Sequence, residues 1–511
     1  MSVNAPELEL RGITKRFPGV LANDRIDLTV KTGAIHAIVG ENGAGKTTLM
    51  SILYGLVQPD QGEIRVRGEL VRFSSALDAI GAGLGMVHQA FKLFPTLTVA
   101  ENVVYRNEPK KGWFIDRDAA EAGVRKLADS FGLGIDPKAR VEDLPVGVLQ
   151  RVEIVKALYR DARVLILDEP TAVLAPQERD GLFVIMRRLK AAGRTILFVT
   201  HKLNEVMAVS DRVTVLRSGR VMADLKTSET SPKAISKLMT GRDIEAVARP
   251  SLGNGGEHLL RVNDLGVVDD AGLVRLDRVS FEVQAGEILG IAAVAGNGQS
   301  ELIDALTGLK PASSGSISLN GVDITQAEPA QRRLAGLAYV PEDRHRVGTA
   351  AGGEVWSNLL MGYQRTPKFR RGRWLRGTAV KEHARELIAQ YDVRVGSENT
   401  LVGTLSGGNL QKLVVAREMT HPAELLIADQ PTRGVDIGAI QFLHRRLLEY
   451  RDQGRGILLI SAELSELLAL SNRILVMYEG RIVAEFDAAS TDEAELGIYM
   501  TGGHLAGAVH G

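Results

Sequence analysis

Cysteine is absent from the sequence, which excludes disulfides, thiol catalysis and thiolate-bound metals. Net charge is absent too, with 62 Lys+Arg against 62 Asp+Glu. That balance argues against a generally basic nucleic-acid binder and leaves room only for a local basic patch. No apolar run approaches the roughly 18 residues that a bilayer-spanning helix needs. The first ten residues, MSVNAPELEL, show no basic segment followed by an apolar core, so a secretory leader is not expected. The expectation is a soluble, cytoplasmic chain that leaves any membrane crossing to another protein. What is present is globular: 45% hydrophobic and 24% charged residues. At 511 residues the chain exceeds one ordinary core, and two domains of roughly 250 residues are expected.

Self-comparison explains the length. V-G-E-N-G-A-G-K-T-T-L, ending at Leu49, returns as V-A-G-N-G-Q-S-E-L, ending at Leu302, an offset of 253 (302 − 49). L-I-L-D-E-P-T around Asp168 returns as L-I-A-D-Q-P-T around Asp429, an offset of 261 (429 − 168). Two copies of one domain therefore lie in tandem, spanning 1–248 and 257–503, with a Gly- and Pro-containing linker at 249–256 and a small, polar tail at 504–511. The second copy is eight residues longer between Glu342 and Leu405, and the extra residues are expected within Gln364–Gly377. That stretch is dense in arginine, with Lys368 and Trp374. It reads as a solvated loop or as a contact for lipid headgroups or a partner. Short apolar runs (Ala34–Val39, Val164–Leu167, Thr195–Thr200) alternate with helical stretches (Lys46–Leu56, Gln177–Ala191), which implies a parallel α/β core.

Gly40, Glu41, Asn42, Gly43, Ala44, Gly45, Lys46, Thr47 and Thr48 fit G-x-x-x-x-G-K-[S/T] between a strand and a helix. Glycines there let backbone N–H groups close around phosphate oxygens, and the helix start adds its positive dipole end. Lys46 would reach the β and γ phosphates and Thr47 would ligate Mg²⁺. Asp168 and Glu169 end a strand, where the first can hold Mg²⁺ and the second can polarise an attacking water. His201, in T-H after the next strand, could bond the γ-phosphate. Gln89, in V-H-Q, supplies an amide able to sense Mg²⁺ or water. Phe17 either stacks on adenine or packs the core.

Leu405–Lys412 reads L-S-G-G-N-L-Q-K and Asp429–Asp436 reads D-Q-P-T-R-G-V-D. On these motifs the chain resembles an ATP-binding cassette ATPase with two fused nucleotide-binding domains, over nearly its whole length. The resemblance implies an α/β fold of two tandem P-loop NTPase domains, each with a parallel-sheet core, an antiparallel β part and a helical subdomain. It also implies head-to-tail pairing of the two halves. ATP would then lie between the phosphate loop of one half and the signature turn of the other, where Ser406, Gly407, Gly408 and Asn409 contact nucleotide.

The copies are unequal. Lys46 aligns with Gln299, Gln89 with Glu342, Glu169 with Gln430 and His201 with Ala462. Phe17 falls opposite an acidic stretch near Asp270. The second loop keeps Gly296, Gly298, Ser300 and Asp429 but loses its lysine and its general base, since a glutamine cannot take a proton from water. In the first half the signature is Leu144–Val148, L-P-V-G-V, and Ala175 stands where the second half has Asp436. Under head-to-tail pairing every defect collects in one composite site and every intact part in the other.

With I-T-K-R-F-P-G-V near its start and no membrane segment, the chain resembles the ATPase subunits of bacterial importers for nucleosides and simple sugars. The resemblance implies two membrane-spanning permease subunits, an extracytoplasmic substrate-binding protein, no nucleic acid, and a peripheral place on the cytoplasmic face of the membrane. Gln430 after Asp429 favours the nucleoside branch over monosaccharides such as ribose or galactose. A cassette protein acting on ribosomes or DNA, or a purely regulatory protein, is the competing class. Phe91, Leu93 and Phe94, downstream of Gln89, form either a socket for a permease helix or part of the local core.

Overall fold

The computed structural model describes residues 6–503, apart from 19, 42, 89–90, 172–173, 175, 201, 242–256, 270 and 295. It divides into two compact units, Met1–Glu245 and Ala246–Gly511. The expected linker at 249–256 and the tail at 504–511 lie outside the described residues, as does the boundary at 248.

The first unit is built on a six-stranded sheet ordered Arg220–Lys226, Arg212–Arg217, Ile35–Gly40, Thr195–Val199, Val164–Asp168, Leu84–Val87. All pairs are parallel except the first. Buried parallel strands demand apolar side chains on both faces, and Val164, Leu165, Ile166 and Leu167 meet that demand, each essentially without solvent exposure. Burying each such side chain stabilises the fold by about 1.5–3 kcal/mol. The registers Val199 against Asp168 and Ile38 against Val199 bring three strand ends to one edge, the usual place for a ligand crevice in such sheets.

A four-stranded antiparallel sheet, Val20–Val30, Leu8–Phe17, Gln61–Val66 and Glu69–Val71, shares a core with the helix Lys46–Leu53 through Leu8, Ile26, Leu49 and Leu53. A helical part follows, comprising Val99–Val104, Arg117–Phe131 and Val146–Tyr159. Asp116 caps its long helix by accepting from the Ala119 N–H at 3.0 Å, and Gly132 ends it in the left-handed conformation.

The second unit repeats this plan. Its six-stranded sheet runs Arg481–Asp487, Arg473–Tyr478, Ile288–Ala292, Gly456–Ser461, Leu425–Asp429, Leu337–Val340, and its four-stranded sheet Val274–Gln284, His258–Val268, Ser314–Leu319, Val322–Asp323.

Two sequence expectations need correction. The helix from Lys46 stops at Leu53 rather than Leu56, because Gly55 turns the chain with φ +73°. The basic stretch Gln364–Gly377 is only partly the insertion. Its hairpin, Arg370–Arg371 with Trp374–Leu375, has a counterpart in Lys110–Lys111 with Phe114–Ile115. The offset is already 256 at the helices Val99–Val104 and Val355–Leu360 (355 − 99) and 260 at the hairpins (370 − 110). The added residues are thus spread mainly through the loops on either side of Val355–Leu360.

Candidate active site

In the first unit the phosphate loop leaves the central strand at Gly40 and turns through Gly43 and Gly45, φ 80° and 97°. Gly45 is required sterically, because a Cβ there would overlap the Ala22 carbonyl oxygen and sit 2.6 Å from the Asn23 amide nitrogen. Asn23, itself fully buried, donates to the Gly45 carbonyl at 3.1 Å. No side chain caps the helix that starts at Lys46, so its first N–H groups stay available to an anion. Thr47 is exposed at that helix start, Thr48 half-buried and Ala44 buried.

The Lys46 ammonium is buried and folds back onto the carbonyls of Gly40 and Glu41, at 2.6 and 3.0 Å. Burial lowers its pKa, opposed by Glu169, Asp168 and Glu41. Asp168, buried at its strand end, is pushed up to about 6 by desolvation and by Glu169, with Lys46 pulling the other way. Glu169 turns out of the strand with φ +47°, its N–H bonded to the Val199 carbonyl at 3.0 Å. Lysine, two carboxylates, a threonine hydroxyl and open helix N–H groups are therefore gathered at one sheet edge. This donor set fits a nucleotide phosphate with a hard cation: the anion would meet Lys46 and backbone N–H groups, and the cation would meet Thr47 and Asp168. Asn42, Gln89, Ala175 and His201 lie outside the described residues. Phe17 is exposed on its strand, with the Lys15 ammonium 5.6 Å from the ring centroid, so it does not pack the core.

Sequence reasoning missed Glu205. Its buried carboxylate accepts from the Thr171 hydroxyl at 2.8 Å and the Thr200 hydroxyl at 3.0 Å. It thereby ties the loop after Glu169 to the strand end that leads into His201. The signal was present as a second glutamate at offset 261 (466 − 205): Glu466 accepts from Ser461 at 2.7 Å, while His444 Nε2 lies 3.0 Å from its other oxygen.

In the second unit Gly296 and Gly298 repeat the positive φ, 94° and 103°, and Gln299 opens the helix Gln299–Thr307. The Gln299 amide donates to the Val294 carbonyl at 2.8 Å, matching the bond of Lys46 to Glu41 without its charge. Among the described residues no ammonium faces Asp429, which burial and Asp304 push up to about 7. Gln430 keeps the φ of +47°, and its side-chain oxygen accepts from the Ala462 N–H at 3.1 Å. Glu342 pairs with Arg433 and its N–H donates to Asp429 at 3.3 Å. Arg344 holds the following turn through the carbonyls of Arg433 and Gly434, at 2.6 and 3.0 Å. Ser300 is exposed at the helix start.

The signature turns differ in chemistry and agree in shape. Ser406 precedes the helix Gly407–Thr420 with φ −65° and ψ 155°; Pro145 precedes Val146–Tyr159 with φ −61° and ψ 155°. Asn409 donates to the Ser406 hydroxyl at 2.9 Å. Gly408 lies against Asp436, where a Cβ would stand 3.1 Å from the carboxylate. Asp436 caps its own helix by accepting from the Ala439 N–H at 2.8 Å.

A family profile described as ABC transporter matches residues 23–172 and again 276–433. The guanosine import ATP-binding protein NupO of Bacillus subtilis is 46% identical over 496 residues, 97% of each chain. The glucose import ATP-binding protein TsgD13 of Haloferax volcanii is 45% identical, covering 99% of this chain and 98% of that one. The nucleoside import ATP-binding protein NupA of Lactococcus lactis is 42% identical, covering 98% and 99%. With a duplicated P-loop fold, one lysine-bearing phosphate loop and full-length likeness to import ATP-binding proteins, the chain belongs to the ABC transporter family, as an ATP-binding member with two fused cassette domains.

Proposed function

We propose that this chain is the motor subunit of an importer, hydrolysing ATP at one of two composite sites formed by head-to-tail pairing of its halves. The observation that carries this reading is the sorting of losses. Lys46, Asp168 and Glu169 stand together in the first unit, while the serine-bearing signature turn belongs to the second. Gln299, Gln430 and Pro145 fall where the opposite composite site would form. Unsorted decay would have spoiled both.

At the competent site Lys46 holds the β and γ phosphates, and the loop N–H groups of Gly40–Thr48 cradle them. Glu169 takes a proton from the attacking water, and His201 and Ser406–Asn409 bond the γ-phosphate. Thr47, Asp168 and Gln89 would hold Mg²⁺, which would supply neutralisation of charge on the phosphate oxygens. Phe17 stacks on the adenine. The second loop holds a nucleotide through Ser300 and Asp429 without turning it over. The partners are two membrane-spanning permeases, with an extracytoplasmic binding protein delivering cargo, and the chain sits peripherally on the cytoplasmic face of the membrane. No described helix is long and apolar enough to cross it.

Nucleosides are the cargo class. Gln430 after Asp429 supports this, and two of the relatives named above are nucleoside import proteins; the glucose relative of nearly equal identity keeps monosaccharides as the second reading. Uptake of radiolabelled guanosine, ribose and glucose in cells lacking this chain tests it. Guanosine uptake is expected to vanish and to return with the wild-type chain but not with Glu169→Gln. Loss of sugar uptake alone would make it a sugar motor, and co-purification with ribosomes instead of permeases would reject transport.

A further inference from the structure

Each unit carries a small hairpin that the nucleotide chemistry does not use. Lys110–Lys111 pairs with Phe114–Ile115 in the first, and Arg370–Arg371 with Trp374–Leu375 in the second. The two-residue turns open on Gly112 and Gly372 with φ 65° and 61°, a geometry that two-residue hairpin loops favour. Trp113 is 99% exposed, Phe114 80% and Trp374 81%. A single exposed aromatic needs no explanation. Here the same element presents an indole to water in both copies, beside cations.

Lys110, Lys111, Arg370, Arg371 and Arg373 are all exposed, and none forms an ion pair among the described residues. The stretch 364–377 contains no carboxylate at all. Glu108 and Asp116 flank the first hairpin, which makes the second the more cationic of the two.

We propose that these hairpins dock on anionic phospholipid, the indoles entering the headgroup layer and the lysines and arginines meeting its phosphates. Tryptophan and clustered cations are the side chains that such an interface favours. The choice of lipid over a protein pocket rests on the comparison of the copies. By register Trp113 aligns with Arg373 and Phe114 with Trp374, so both copies set an indole beside two cations while its position shifts by one residue. A fluid headgroup layer accepts the indole at either position; a pocket for one side chain would fix it. This inference does not depend on which solute is carried.

The test uses the full chain without permeases, sedimented with vesicles of phosphatidylglycerol and phosphatidylcholine, or of phosphatidylcholine alone. Binding is expected only to the anionic vesicles and should weaken with salt. Tryptophan emission should shift to the blue on binding, because two of the three indoles, Trp113 and Trp374, start in water. Each cation near such a surface contributes about 1 kcal/mol, about fivefold in affinity. Lys110→Gln with Lys111→Gln, or Arg371→Gln with Arg373→Gln, should therefore weaken binding on the order of 25-fold. Trp113→Ala with Trp374→Ala should weaken sedimentation as well, with ATPase unchanged in every variant. Wild-type chain that ignores anionic vesicles, or charge variants that bind them equally well, would overturn the proposal. Loss of permease co-purification in these variants, without vesicle binding by the wild type, would assign the hairpins to a protein partner and reject lipid.

Discussion

Pro145 holds the backbone geometry of Ser406 to within a few degrees, φ −61° against −65° with ψ 155° in both. Proline is confined to this φ, and the residue before Ser406, Leu405, is already extended, as a following proline requires. Ser406→Pro should therefore fold normally, with its unfolding free energy within about 1 kcal/mol of wild type. Under head-to-tail pairing it deletes a γ-phosphate donor from the competent site. A fall in kcat on the order of 10²-fold is expected, measured by phosphate release. Unchanged turnover would count against that pairing.

Glu169→Gln should lose hydrolysis by about 10²–10⁴-fold while ATP still binds, because the base is removed and the loop holding the phosphates is not. Lys46→Ala should weaken binding too. Equilibrium binding of a fluorescent ATP analogue, set beside single-turnover hydrolysis, separates the two. Brisk hydrolysis by Glu169→Gln would place turnover at the second loop.

Glu205 positions rather than reacts. Glu205→Ala strips the Thr171 and Thr200 hydroxyls of their shared acceptor, a loss of about 1–3 kcal/mol per buried group. Stability should fall, and kcat should fall about tenfold with less change in KM for ATP. Glu205→Gln, which keeps one acceptor oxygen, should restore part of kcat. Equal kcat in all three forms would remove Glu205 from the site's support.

His36, buried on the central strand, lies 2.7 Å from the Thr214 hydroxyl and 3.9 Å from the Asp224 carboxylate. Burial holds its pKa at about 4 against an ordinary 6.5, with Asp224 raising it and Arg212 lowering it. The unfolded chain therefore takes up a proton near pH 6.5 that the folded chain refuses. Stability is fully present above that pH and declines towards pH 4, by up to about 3 kcal/mol. Urea unfolding of His36→Gln between pH 4 and 7 should show a flatter profile than wild type.

The phosphate loop, the acidic strand ends and the signature turn were legible because each is a short run of consecutive residues whose chemistry requires that spacing. The α/β class followed from buried strands such as Val164–Asp168, which are apolar on both faces. Glu205 was not legible. Its meaning comes from two hydroxyls, on a loop and a strand end, that converge only in three dimensions. The Arg344 contacts to Arg433 and Gly434 join residues about 90 apart. The paired hairpins escaped because two-residue strands carry no periodicity, so the basic stretch read as an insertion. Phe94 is exposed beside Tyr105, ring centroids 5.0 Å apart, with its backbone held by Asn102. That placement removes the reading in which Phe94 packs the local core.

Glu169 and Gln430 share a left-handed φ of 47°, a conformation that costs a side-chain-bearing residue about 1–2 kcal/mol. In the first unit the strain aims the carboxylate proposed as general base. The second unit bears the same strain around an amide that takes no proton, so there the turn is a steric inheritance of the sheet rather than a catalytic demand. Gln430→Gly should relieve it and raise stability by up to about 1 kcal/mol, at the cost of only the bond to Ala462. The corresponding Glu169→Gly would relax the same turn and silence the motor. The duplicated fold thus contains a place where stability can be gained without touching turnover, and its twin where it cannot.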